Sequence, residues 1–212
     1  MKTTGFETFI TDAQRFLTEL AKDNRREWFT AQKPRYDAEL KAPAEHLLAS
    51  LAPPLEALSG GPVTTKLFRP QRDVRFSKDK SPYHTHLHML WSLPEGPGWF
   101  FGIAPDYVTA GAGIMTFGKD GLDRYRAAVD GPDGAELADI LAALGGRMEP
   151  PELKRVPAPY DKDHPRGELL RRKSLAVWQD GLEPDLAGDP PGGLLAIFER
   201  FQLLIGWLRL RA

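Results

Sequence analysis

The chain has 212 residues, of which 42% are hydrophobic and 27% charged, and its formal net charge is −1. That length can bury a sizeable core as one large domain or two small ones, and the composition lies in the globular range, which excludes general disorder. A near-zero net charge argues against coating nucleic acid through overall charge, and the lack of cysteine removes disulfides, thiol catalysis and Cys-ligated zinc.

Residues 1–20 are polar and amphipathic, and no run approaches the ~18 apolar residues of a membrane span, so a soluble, cytoplasmic protein without a membrane partner is expected. Phe6, Phe9, Phe16, Leu17 and Leu20 form one apolar face of a helix running from about Thr8 to near Asp23. Asn24, with Glu27 three residues on, reads as a capping box for a second helix that buries Trp28, Phe29 and Tyr36. Helical spacing continues through Tyr36, Leu40, Leu47, Leu48 and Leu51, with a kink or restart at Pro43. Pro53-Pro54 and Gly60-Gly61-Pro62 then bracket a loop where the pattern changes from helical to extended.

Residues 63–69, 72–76 and 83–92 read as strands. Residues 99–104 and 107–114 read as a hairpin around Pro105-Asp106, in which Gly111 and Gly113 weaken the second strand or mark bulges. No helical pattern separates these runs, so the sheet is expected to be mainly antiparallel. The helical period returns with Leu122, Tyr125, Ala128 and Val129, and again with Leu137, Ile140, Leu141 and Leu144 before Gly145-Gly146. It is clearest in Leu194, Ile197, Phe198, Phe201, Leu204, Ile205 and Leu208, read as one helix packed on the sheet. The expected fold class is α+β. A single domain spanning 1–212 would place helices at about 6–52, a sheet at about 63–117 and helices again at about 119–210.

Chemistry-bearing side chains are densest between Lys66 and Tyr83. Six cations, Lys66, Arg69, Arg72, Arg75, Lys78 and Lys80, face two acids, Asp73 and Asp79. Guanidinium forks suit phosphate or carboxylate because they present paired N–H donors, and Asp73 is placed to hold one fork. The plain alternative is a solvated edge strand whose acids simply pair with its cations. His84, His86 and His88 would share one face of a strand, a spacing that can bind zinc; no nearby acid completes such a site, and no metal is assigned. Ser77 and Ser81 lack the context of a nucleophile elbow, and no phosphate loop, dinucleotide fingerprint or His-Glu-x-x-His pattern is present. The sequence does not identify a cofactor. A second basic group holds Lys154, Arg155, His164 and the run Arg171-Arg172-Lys173; Asp163 ahead of His164-Pro165 reads as a helix start, with Glu168 set to pair with Arg172.

The run from Phe68 to Tyr83, Phe-Arg-Pro-Gln-Arg-Asp-Val-Arg-Phe-Ser-Lys-Asp-Lys-Ser-Pro-Tyr, resembles the signature of the family catalogued as domain of unknown function 2461. Glu27-Trp28-Phe29, and Leu153-Lys154-Arg155 through Asp163-His164-Pro165 to Lys173, agree with it. The resemblance implies a single domain of about this length and brings no activity, substrate or catalytic residue with it. A lysine usually follows the tyrosine where this chain has His84, and His88 is not a family position, which leaves His86 as the one shared histidine.

Two functional readings follow. In the first, both basic segments converge on a pocket for a phosphorylated or carboxylated small molecule. Arg69, Arg72, Arg75, Lys78, Lys80, Tyr83, Lys154, Arg155 and His164 bind the anion, and Asp73 or His86 transfers protons. In the second, the same cations form a surface strip for nucleic acid or an acidic protein partner, with Tyr83 or Trp91 stacking. The acids within the basic run favour the first.

Overall fold

The structure, a computed structural model, describes residues 6–94 and 96–212, apart from the side chain of Glu7. After a 3-10 turn at Phe6–Thr8, helix α1 (Phe9–Lys22) buries Phe9, Phe16, Leu17 and Leu20 and ends at Asp23. Helix α2 (Arg26–Tyr36) follows without the expected capping box. Arg25 is its N-cap and no side chain caps it, because Asn24 is used elsewhere. Its Nδ2–H donates to the Tyr83 carbonyl at 2.9 Å and its Oδ1 accepts from the Tyr83 N–H at 3.1 Å. A single π-helical turn at Asp37–Lys41 leads into helix α3 (Ala42–Ser59), with Pro43 in its first turn.

Pro53-Pro54 does not open a loop, since α3 runs through both prolines to Ser59 and ends on left-handed Gly60. The two carbonyls that lose N–H donors belong to Ala49 and Ser50, which are exposed, so water can replace the bonds. Leu47, Leu51 and Leu55 remain buried along one stripe and hold the helix in place.

Five strands form one antiparallel sheet in the order β1-β2-β3-β4-β5: β1 (Thr64–Leu67), β2 (Leu87–Ser92), β3 (Gly98–Ala104), β4 (Tyr107–Ile114) and β5 (Leu175–Asp180). The middle of the chain therefore supplies an antiparallel sheet flanked by N-terminal and C-terminal helices, as α+β requires. Residues 72–76 are not a strand. They lie in a loop closed by an isolated bridge between Gln71 and Tyr83, because the acids and cations of this stretch bond to one another. Gly111 and Gly113 are not bulges either: β3 and β4 pair one to one from Gly98 opposite Gly113 to Ala104 opposite Tyr107.

Helices α4 (Lys119–Asp130) and α5 (Asp133–Leu144) match their periodicity, and α5 ends on left-handed Gly145. The helix expected from Asp163 is only a short turn, α6 (Gly167–Leu170), with Arg166 as its N-cap. The last helix is two, α7 (Pro190–Arg200) and α8 (Gln202–Arg211), broken at Phe201, yet all seven periodic apolar residues are buried as one set.

Alternation along the strands gives the sheet two unlike faces. Met89, Trp91, Trp99, Phe101, Ala110, Ala112 and Val177 point to the face on which α1, α3, α7 and α8 pack. Trp91 donates its indole N–H to the Leu48 carbonyl at 3.0 Å and meets Phe198 edge to face. The alternate residues, among them His88, Leu90, Phe100, Gly102, Gly111 and Trp178, share the opposite face.

Candidate functional site

That opposite face carries a cavity of about 950 Å³, and the β1–β2 end of the sheet a smaller one of about 570 Å³. Phe68 is a wall of both. The smaller is polar, lined by Lys66, Arg69, Gln71, Asp73, His84 and His86. Three site residues expected from the sequence thus meet in one place: Arg69, Asp73 and His86.

Their charges are not equivalent. Arg75 grips Asp73, with its Nε 2.9 Å from Oδ1 and its Nη2 2.6 Å from Oδ2, and this fork, together with the Arg75 backbone N–H, holds the carboxyl below its ordinary range. A carboxylate so committed is a weak base. Arg72 is bound by Asp79, whose own carboxyl is held down first by the Ser81 N–H and hydroxyl and then by Arg72. Lys80 donates to the Val74 carbonyl at 2.9 Å. Arg69 and Lys66 form no ion pair among the described residues, although the charge of Arg69 helps to lower the Asp73 carboxyl beside it, and Lys66 sits over the Phe68 ring, 4.5 Å from its centroid.

The three histidines stack along β2 and the segment before it, His84 on His86 at 4.7 Å and His86 on His88 at 3.8 Å between ring centroids. Stacked rings point their nitrogens sideways rather than at a common point, and no group among the described residues could hold a metal ion. Burial, reinforced by the neighbouring imidazoles, pushes His86 and His88 down to about 4, so both are neutral at pH 7. So low a pKa also makes His86 a weak base, suited to hydrogen bonding rather than proton abstraction. His88 Nε2 lies 2.8 Å from the Tyr107 hydroxyl, a pair that opens onto the larger cavity.

The larger cavity is mainly aromatic and apolar, with Phe68, His88, Phe100, Tyr107 and Trp178 around it. At its far side Arg147 bonds Asp180 through Nε at 2.8 Å and caps the Trp178 ring at 6.0 Å. Arg172, only 3% exposed, donates to the Glu149 carbonyl and to Glu168, the pairing expected from their spacing, while its Nε has no partner among the described residues.

The two basic segments do not bring their cations together in one of these cavities: Lys154, Arg155 and His164 line neither, and Arg172 of the second group lines the larger one, away from Arg69 and Lys66 in the smaller. The first segment lies at the β1–β2 end of the sheet, whereas the second leads into β5 at the other edge, about 19 Å away by strand spacing. Cations of the second segment stitch the scaffold instead. Arg166 donates to the carbonyls of Val129, Asp130 and Gly131 at the end of α4, and His164 faces Asp130 at 3.4 Å. Lys154, Arg155 and Lys78 are exposed. Tyr83 is only 9% exposed, stacked on Phe29 at 4.1 Å, and Trp91 is fully buried, so neither offers a face to a base. Phe76, at 96%, is the most exposed aromatic among the described residues.

Sequence reasoning missed the larger cavity because its walls come from β3, β4 and the unexpected β5. The signal was the glycines. An added Cβ on Gly111 would stand 2.6 Å from the Trp178 ring, and one on Gly102 would stand 3.0 Å from that of His88. Glycine in a strand interior marks such close approaches.

Helices on one face of an antiparallel meander and two adjoining cavities on its other side define this α+β protein. The chain belongs to the family described as conserved hypothetical protein (DUF2461), which matches residues 12–201. No curated protein matches it. No helix among the described residues is long and apolar enough to cross a membrane.

Proposed function

We propose that this protein binds a small organic anion, with its phosphate or carboxylate in the smaller cavity against Arg69 and Lys66 and its apolar body in the larger one. The observation that carries this reading is the shared wall. Phe68 borders both cavities, so Lys66 and Arg69, neither of them tied up in an ion pair among the described residues, adjoin an aromatic-lined space large enough for a metabolite. A cysteine-free chain suits a metabolite of the cytoplasm. His86, neutral and in the same small cavity, is placed to hydrogen-bond the bound molecule.

A thermal-shift panel of phosphorylated and carboxylated metabolites tests the proposal. A stabilising compound is expected, and Arg69→Ala should weaken it by about 10- to 100-fold, the worth of one charge-assisted hydrogen bond. A panel without a hit, or a hit indifferent to Arg69→Ala, would sink the reading. Phe76, fully exposed between Arg75 and Lys78, supports a second reading as a platform for a single nucleic-acid strand. Steeply salt-dependent oligonucleotide binding that disappears in Phe76→Ala would favour it over the first.

A further inference from the structure

We infer that the body of this ligand is a planar aromatic ring system rather than an acyl chain, an inference that rests on the organic-anion reading and narrows it to a substrate class. The reason lies in how the open face is floored. His88 in β2 pairs with Gly102 in β3, and Trp178 in β5 pairs with Gly111 in β4. Each large ring occupies the space that a side chain on its partner would fill: the indole lies where a Cβ on Gly111 would be 2.6 Å from it, and the imidazole where one on Gly102 would be 3.0 Å from it.

Both rings therefore lean inward, from β2 and from the edge strand β5, over the adjacent strands β3 and β4 about 4.8 Å apart. Phe100, which pairs with Gly111 from the other side, meets the indole at 5.5 Å with 38° between their planes. Arg147 covers part of Trp178 from the rim, and the His86 ring backs that of His88 at 11°. The cavity is thus lined by aromatic side chains held by their neighbours, a surface on which flat π-systems gain stacking energy and a flexible chain loses conformational entropy without it. The head group and the ring belong to one molecule, because Phe68 adjoins both the cations and this floor.

The test compares two esters with the same head and the same number of carbons, 2-naphthyl phosphate and n-decyl phosphate, with inorganic phosphate as the head alone. Isothermal titration of the full chain should show 2-naphthyl phosphate binding about tenfold tighter than n-decyl phosphate, although the alkyl ester is the more hydrophobic. Trp178→Leu should remove that preference, weakening 2-naphthyl phosphate more than n-decyl phosphate. Phe100→Leu should reduce the preference in the same direction, and it guards against a Trp178 variant that does not fold. Equal or tighter binding of n-decyl phosphate, still dependent on Arg69, overturns the planar-ring inference and leaves the organic-anion reading standing. Binding of neither ester, or binding unchanged by Arg69→Ala, overturns both.

Discussion

The two faces of the sheet are made by alternate residues of the same strands, yet they are built by different rules. On the helix-covered face the large side chains stand among helices: Trp99 and Phe101 meet α-helical leucines and phenylalanines and are essentially inaccessible. On the other face the large rings lie over glycines and line the larger cavity. The first arrangement stores stability and the second leaves room. A residue's contribution to folding and its contribution to binding should accordingly separate by face.

The largest effect tests that separation directly. Trp99→Ala, in the covered core, should cost about 3–5 kcal/mol in urea unfolding, whereas Trp178→Ala should cost under about 1.5 kcal/mol and abolish the preference for an aromatic ligand. Equal costs would dissolve the distinction between the faces.

The histidine column sharpens it through pH. His86 and His88 fall from the ordinary 6.5 to about 4 on folding, chiefly through burial. The unfolded chain thus binds protons that the folded chain refuses, so stability is full above pH 6.5 and declines as pH falls from 6.5 toward 4. Allowing for their partial exposure and mutual coupling, the loss attributable to the pair is on the order of 2 kcal/mol. The variant His86→Gln/His88→Gln should flatten that limb of a stability-versus-pH curve, and an unchanged limb would show that the open face does not exclude protons.

Smaller again is the effect of Asn24→Ala. It removes both bonds to the Tyr83 backbone and should cost about 1–2 kcal/mol, with faster hydrogen exchange at the Tyr83 N–H. Phe76→Ser should change stability by less than about 0.5 kcal/mol, because the side chain is open to water, and should leave organic-anion binding intact.

Much of the covered face was legible in the chain. The apolar periods of α1, α4, α5 and the C-terminal pair name residues that are in fact buried or packed against the core, and the run from Trp99 to Ile114 names the central hairpin. The open face was not, because its main device is absence: a glycine opposite a ring reads as a weak strand until the partner is known. Strand β5 was hidden for a related reason. Leu175 and Val177 carry a short alternating pattern, but it follows directly on the basic run 171–173, in which Arg172 reaches back to Glu149 as well as to nearby Glu168. Asn24 shows the same limit, since a good cap in sequence became a clamp on a residue 59 positions away.

The sequence alone determined the α+β class, the antiparallel centre and the density of charge around residues 66–83, since hydrophobic period and local composition act over a few residues and do not wait for the fold. Only the tertiary structure decided which of those charges stay free. Asp73 and Asp79 neutralise Arg75 and Arg72, the second basic segment is spent on the end of α4 and on the approach to β5, and Lys66 and Arg69 are left beside an aromatic space. Pairing depends on distances of a few ångströms between groups that the chain sets far apart, and those distances exist only once the sheet has brought its strands together.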